Sequence, residues 1–168
     1  MSTTLPHTRF ESPLGPIWIT AAPDGLLGFW FHDQKHLPTS DERRHWTEDR
    51  RHPLLLNAQA QLRGYFGGAR QAFDLPLSSA RGTPFQRSVW RALQDIPWGR
   101  TCSYGELARA VGRPEAVRAV AAAVGRNPWS IVVPCHRVLG ARGALTGYAG
   151  GLERKAALLQ LEQKHAPT

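Results

Sequence analysis

Ser103-Tyr104-Gly105-Glu106-Leu107-Ala108-Arg109-Ala110-Val111-Gly112-Arg113-Pro114-Glu115-Ala116-Val117-Arg118-Ala119-Val120-Ala121-Ala122-Ala123-Val124-Gly125 is the stretch from which the architecture of the second half of the chain follows. Ser103 and Glu106 have capping-box spacing, which predicts a helix through Leu107, Ala108 and Val111 that closes at Gly112. Pro114 reads as the start of a second helix, running through Val117, Arg118, Val120 and Val124 to Gly125. Two short helices around a tight Gly-Arg-Pro turn make a helix-turn-helix. The second helix has an unusual surface: Ala116, Ala119, Ala121, Ala122 and Ala123, with Arg118 as its principal long cation. Close packing of a strong helix former explains such a face. So does a narrow face shaped for a constrained groove, with arginine as its probe. Helices that read base edges need hydrogen-bonding side chains, and this one offers few.

N-terminal to this stretch, Thr83-Pro84 supplies a cap and a first-turn proline. Phe85, Val89, Leu93 and Ile96 then mark one apolar helical face, stopped by Ile96-Pro97-Trp98-Gly99. C-terminal to it, Asn127-Pro128 and the apolar run Ile131-Val132-Val133 lead into Pro134-Cys135-His136-Arg137-Val138. A thiol reacts as thiolate, and an apolar setting raises its pKa, so a reactive Cys135 needs a base or a positive field nearby. His136 is the candidate base; a buried structural cysteine is the bland alternative. Gly143 to Gly151 holds four glycines around Tyr148 and reads as a turned loop. A last helix is predicted over about 152–164. Its stripe of Leu152, Ala156 and Leu159 continues to Glu162, which either faces inward, where it could orient a histidine, or sits exposed at the stripe's edge.

The first half alternates apolar runs with turn residues. Thr8-Arg9-Phe10, Ile17-Trp18-Ile19-Thr20 and Leu26 to Phe31, separated by Pro13-Leu14-Gly15 and Pro23-Asp24-Gly25, predict an antiparallel meander. Residues 33–52 read as an exposed loop. Pro53 opens a helix through Leu54, Leu55, Ala58, Leu62 and Phe66, ended by Gly67-Gly68. A strand around Phe73–Leu77 and a Ser78–Gly82 linker complete a first domain at 1–80, leaving 81–168 as the second.

The chain has 168 residues, 42% hydrophobic and 20% charged, which suits a soluble one- or two-domain protein. No apolar run reaches the roughly 20 residues of a membrane span, and no secretory signal is visible at the start, so a cytoplasmic protein is expected. Cys102 and Cys135 cannot form a four-cysteine zinc site, the histidines lack metal-ligand spacing, and no metal or other cofactor is expected. Cys102, just before the Ser103 cap, reads as structural. Net charge is +8, and residues 100–155 hold nine Lys/Arg against three acids. That cluster suits a polyanion beside Cys135, or a solvated basic face.

Several ordered motifs resemble the O6-alkylguanine-DNA alkyltransferase family, densely over about residues 82–162 and loosely before. They are Gly82-Thr83-Pro84-Phe85-Gln86, Val89-Trp90, Ile96-Pro97-Trp98-Gly99, Ser103-Tyr104, Leu107-Ala108, Arg118-Ala119-Val120, Asn127-Pro128, Pro134 to Val138, Gly147 to Leu152, and Lys155. The resemblance implies an α/β (α+β) protein: a small N-terminal ribonuclease-H-like sheet domain, then a mostly helical domain with a helix-turn-helix of winged-helix type. It implies direct-reversal repair, in which Cys135 takes the alkyl group from O6 of guanine once and irreversibly, with O4 of thymine left as an open second target. Within that scheme His136 acts through a water as base, Glu162 holds the imidazolium, Asn127 braces the turn and Tyr104 donates a proton or hydrogen bond to the leaving guanine.

The implied partner is double-stranded DNA carrying O6-alkylguanine, bound by a monomer in the minor groove without sequence preference. Arg118 would enter the stack vacated by the flipped base, flanked by DNA contacts at Thr101, Ser103, Ala116, Ala119, Ala122 and Arg126. Tyr104, Val138, Tyr148, Ala149 and Gly150 would line the guanine pocket. Ala149 stands where some relatives carry serine, so an O6 contact there falls to the main-chain amide. The four-cysteine zinc domain of adaptive-response regulators is absent, which speaks against a methylation-triggered transcription factor. Two other classes compete: a lesion-binding module without chemistry, opposed by the intact Cys135-His136 pair and Glu162, and a papain-like thiol hydrolase, opposed by the adjacency of Cys and His.

Overall fold

Ser12 sets the first reversal of the chain. Its hydroxyl donates to the Gly15 carbonyl at 2.6 Å and accepts from the Leu14 amide at 3.1 Å. In the computed structural model, which describes residues 4–166, β1 (Leu5–Ser12), β2 (Gly15–Ala22) and β3 (Gly25–Phe31) form the expected meander. Thr8 pairs with Ile19 and Phe10 with Ile17, so the alternation of β1 sends Thr8 and Phe10 to the core and His7 and Arg9 to the other face. Every residue of β3 is buried, which is why its sequence reads as a continuous apolar run. α2 (Pro53–Phe66) covers the core face with Leu55, Ala58, Leu62 and Tyr65.

Residues 33–52 are not the uniform loop expected. Thr39 and Glu42 form a reciprocal capping box that starts α1 (Ser40–Arg43), and β4 (Trp46–Glu48) then pairs parallel with β1, giving the order β3-β2-β1-β4. The charges of this segment hid a half-buried tryptophan that stacks on Trp30. The strand expected at Phe73–Leu77 is absent too. Only Leu77 makes a bridge, to Leu26, because Pro76 has no amide to donate and offers its carbonyl to the Leu26 amide instead. Gly25, at φ +149°, is required here: a Cβ would lie 2.8 Å from that carbonyl.

The chain divides into two compact units, Met1–Arg81 and Gly82–Thr168. The first holds nine Lys/Arg and eight acids, the second twelve and five, so nearly all the net charge lies in the second.

In the second unit, the Thr83/Gln86 capping box and Pro84 start α3 (Pro84–Gln94). Ser103 and Glu106 start α4 (Tyr104–Ala110) in the same way, as their spacing predicted. α5 spans Val117–Gly125, three residues later than Pro114 suggested: residues 113–116 are taken by a turn in which the Ala116 amide donates to the Arg113 carbonyl. α5 buries Val120, Ala123 and Val124, and the Trp90 indole of α3 donates to the Ala123 carbonyl at 2.8 Å. β5 (Cys102–Ser103) and β6 (Val138–Leu139) pair in parallel, and α6 runs Leu152–Lys164. No helix among the described residues is long and apolar enough to cross a membrane.

Candidate active site

Cys135 opens a 3-10 turn (Cys135–Arg137) between the apolar segment ending at Pro134 and β6. The approach is held by Asn127. Its Nδ2 donates to the Val133 carbonyl at 2.8 Å and the Trp129 carbonyl at 3.3 Å, while its Oδ1 accepts from the Trp129 amide at 3.0 Å. These three bonds fix a segment in which Ile131, β-branched and buried, holds φ +74°, a costly backbone state that persists because its surroundings over-determine it. Burial pushes the Cys135 thiol up; the Asn127 side chain and the charge of Lys155 oppose that rise. At neutral pH the group is a thiol that must be deprotonated to react.

His136 is fully buried, and its Nε2 lies 2.6 Å from Glu162 Oε2 on α6. Glu162 therefore faces inward, resolving the alternative left open by the helix stripe. Burial lowers the imidazole pKa against the opposing pull of Glu162, so the ring is neutral near pH 7. An ionised carboxylate accepts only, which places the imidazole proton on Nε2 and leaves Nδ1 with a lone pair. Nδ1 is buried and has no protein hydrogen-bond partner.

Glu162 stays ionised in spite of its burial. Desolvation acts to raise its pKa, but hydrogen bonds and charge from His136 and Arg137 bring it down to about 2. Arg137 is the group that sequence reading missed. It lies buried with Nε 2.7 Å from Glu162 Oε1, Nη2 3.1 Å from Oε2, and Nη1 2.6 Å from the Ile96 carbonyl. The signal was present as one cation within an otherwise apolar run. Lys155, likewise counted with the basic cluster, is buried as well: its ammonium donates to the Thr146 carbonyl at 2.7 Å and the Gly147 carbonyl at 3.0 Å. Burial brings its pKa down to about 8, with Cys135 opposing. Two of the nine cations in residues 100–155 thus belong to the interior and not to a basic surface.

Tyr104, the first residue of α4, is half-buried with its hydroxyl against the Gly147 backbone, where an added Cβ would lie 3.5 Å away. Burial and the nearby Cys135 raise its pKa, so it remains a neutral donor. Tyr148 is half-buried, with its hydroxyl buried beside Ser130; burial holds that hydroxyl well above the usual range. Val138 is fully buried, Gly150 is buried and Ala149 is half-buried. The Gly150 carbonyl accepts from Arg154 Nη1 at 3.1 Å.

The residues expected at DNA divide by accessibility. Arg118, Ala119 and Ala122 are exposed on the face of α5 opposite Val120, Ala123 and Val124, with exposed Arg126 just beyond the helix end and exposed Thr101 before β5. Ala116 is half-buried as the N-cap of α5. Ser103 is half-buried, its hydroxyl accepting from the Glu106 amide at 3.0 Å. Cys102 and Cys135 are both free thiols; burial raises the Cys102 pKa, and Glu106 adds to it. No cluster of three or more His, Cys, Asp or Glu among the described residues could hold a metal ion.

Comparison with known proteins gives this geometry its context. Residues 84–164 match the family described as 6-O-methylguanine DNA methyltransferase, DNA binding domain, and residues 5–79 match its ribonuclease-like domain. A methylated-DNA--protein-cysteine methyltransferase of Mycolicibacterium paratuberculosis is 49% identical over 161 residues, covering 96% of this chain and 94% of that protein. The constitutive enzyme of the same name from Bacillus subtilis is 45% identical over 158 residues, covering 94% of each. The crystal structure of Mycobacterium tuberculosis OGT in complex with DNA superposes with a TM-score of 0.87 at 45% identity, covering 97% of this chain and 96% of that one. With both domains matched in order and relatives this similar over nearly its whole length, the chain belongs to the 6-O-methylguanine DNA methyltransferase family.

Proposed function

We propose that Cys135 accepts the alkyl group of O6-alkylguanine in DNA in a single, irreversible transfer, with His136 as its base. The observation that carries this reading is the Arg137–Glu162–His136 chain, which ends in an imidazole lone pair on the residue next to the thiol. His136 Nδ1 takes the thiol proton, through a bridging water. The sulfur attacks the alkyl carbon, an S–C bond forms as the C–O6 bond breaks, and the electron pair passes to guanine. Tyr104 donates to the leaving base, and Glu162 stabilises the imidazolium formed on His136. A thioether is a poor leaving group, so the protein is consumed.

In this reading residues 1–80 form the ribonuclease-like α/β domain and 81–168 the DNA-binding and alkyl-acceptor domain. Arg118 and the small-residue face of Ala119 and Ala122 enter the minor groove of duplex DNA, supported by Thr101, Ser103, Ala116 and Arg126. That face binds without sequence preference, because alanine has nothing with which to read base edges. Arg118 fills the place of the flipped nucleotide, which is received between Tyr104, Val138, Tyr148, Ala149 and Gly150. The whole proposed site lies in one unit of one chain, so a monomer suffices, and a reducing cytoplasm suits its two free thiols.

The test is mass spectrometry of the protein after incubation with a duplex containing O6-methylguanine. One methyl group on Cys135 per molecule, and no further turnover, is expected. Repeated turnover, or repair with Cys135 unmodified, rejects the reading.

A further inference from the structure

Between Arg137 and Glu153 the sole charged residue is Arg142, and the chain from Gly140 to Ala144 carries it out on a tight hairpin. The Gly140 amide donates to the Ala144 carbonyl at 2.8 Å, and the Ala144 amide to the Ala141 carbonyl at 3.2 Å. Arg142 (φ 60°, ψ 27°) and Gly143 (φ 74°) are the two central residues, both left-handed. Such a turn suits Asn-Gly: asparagine enters the left-handed region readily, whereas a long side chain does so at a cost. Nothing within the hairpin offsets that cost. Residues 141–144 are all exposed, and among the described residues the Arg142 guanidinium has no ion pair and no hydrogen bond. Strain held at an exposed tip points to a use for the side chain outside the chain itself.

The hairpin is firmly mounted. A Cβ on Gly140 would lie 2.8 Å from Thr146 Oγ1, so its two arms are in close contact, and the Thr146 carbonyl accepts from the Lys155 ammonium at 2.7 Å. Its direction follows from β5 and β6. They run parallel with Ser103 beside Leu139, so α4, starting at Tyr104, and the hairpin, starting at Gly140, leave the same end of the pair. Gly147, on the returning arm, lies against the Tyr104 hydroxyl. Arg142 therefore stands beside the residues that line the proposed guanine pocket, flanked by Ala141, Gly143 and Ala144, which leave a bulky surface room to approach. A guanidinium presented in this way matches a phosphodiester, whose oxygens accept two parallel N–H bonds.

We propose that Arg142 clamps a backbone phosphate of the duplex beside the lesion, a contact that rests on the reading of Cys135 as acceptor from DNA. The full-length protein is titrated with an unmodified duplex at several salt concentrations, with fluorescence anisotropy as readout. Arg142→Asn is expected to weaken binding about fivefold at moderate salt and to lower the slope of log affinity against log salt by about one, the signature of one lost phosphate contact. Arg142→Lys keeps the slope. Urea unfolding of Arg142→Asn is expected at or above the native midpoint, because Asn-Gly suits the turn. Alkylation by a free O6-alkylguanine base, which has no phosphate, is expected at the native rate. A native slope in Arg142→Asn overturns the clamp. A lowered urea midpoint, or a loss of affinity matched by an equal loss with the free base, assigns Arg142 to the folding of the loop and overturns it as well. The two readings fail separately: no methyl on Cys135 in the native protein refutes the transfer, and an unchanged slope refutes the clamp.

Discussion

Replacing Glu162 with glutamine changes one atom's chemistry and keeps the shape, so its effects trace to charge. In the native site the carboxylate receives His136 Nε2 and two bonds from Arg137, all buried. Glutamine leaves Arg137 a buried cation without a counter-charge, and breaking a buried pair in this way costs about 3–5 kcal/mol. The pKa argues for the same scale. A drop from 4.5 to about 2 on folding, at roughly 1.4 kcal/mol per unit, corresponds to about 3 kcal/mol of stability. Because the folded pKa is depressed, that stability is fully present above pH 4.5 and is lost as pH falls toward 2. Urea unfolding of both proteins across pH 7 to 3 is expected to show a wide gap at neutral pH that narrows in acid. The amide oxygen of glutamine can still accept from His136 Nε2 and Arg137 Nη2, but a neutral amide no longer stabilises the imidazolium that the proposed proton transfer forms on His136. Alkyl transfer at pH 7 is expected to slow by about two to four orders of magnitude. A stability gap independent of pH, or a transfer rate within twofold of the native one, refutes this account.

Three further outcomes follow from the same geometry. Asn127→Ala removes three buried bonds from the segment carrying Ile131 and leaves the Val133 carbonyl without its Asn127 donor; it is expected to cost about 2–4 kcal/mol in chemical denaturation and to slow alkylation of Cys135. Lys155→Met strips the donor from the Thr146 and Gly147 carbonyls, and is expected to speed amide hydrogen exchange across residues 140–151 while lowering the transfer rate. Arg118→Ala is expected to lower repair of an O6-methylguanine duplex by at least about tenfold, yet to leave alkylation by a free O6-alkylguanine base near native, because the proposed role of Arg118 is in opening the duplex. Equal loss with both substrates would count against that role.

What the sequence disclosed depended on whether a residue's partner lay nearby. The Thr83 cap with its Pro84 and the Ser103–Glu106 capping box are each complete within four residues, and both helices begin where those signals put them. Glu162 was ambiguous because its partner lies 26 positions away, and helix phase alone does not say what a stripe's edge meets. Arg137 and Lys155 went unread for a related reason. A cation looks like surface until the carbonyls and carboxylate that receive it are known, and those come from Ile96, Thr146, Gly147 and Glu162. Pro114, read as the start of α5, lies in the turn before it, and the strand expected at Phe73–Leu77 shrinks to a single bridge at Leu77 because Pro76 has no amide to donate. In residues 33–52 the density of charge masked Trp46, which opens β4 and stacks on Trp30.

The short β5–β6 pairing has a consequence for protein engineering. Cys102 and Ser103 sit beside Val138 and Leu139, so the strand that launches the helix pair is bonded to the strand that follows the Cys135 turn. Trp90 pins the other helix of the pair from α3. The two helices are therefore not a portable cassette. Grafted onto another scaffold, α4 and α5 would lose the struts that fix their angle, and a transplant has to carry α3 and the Cys135 turn with it.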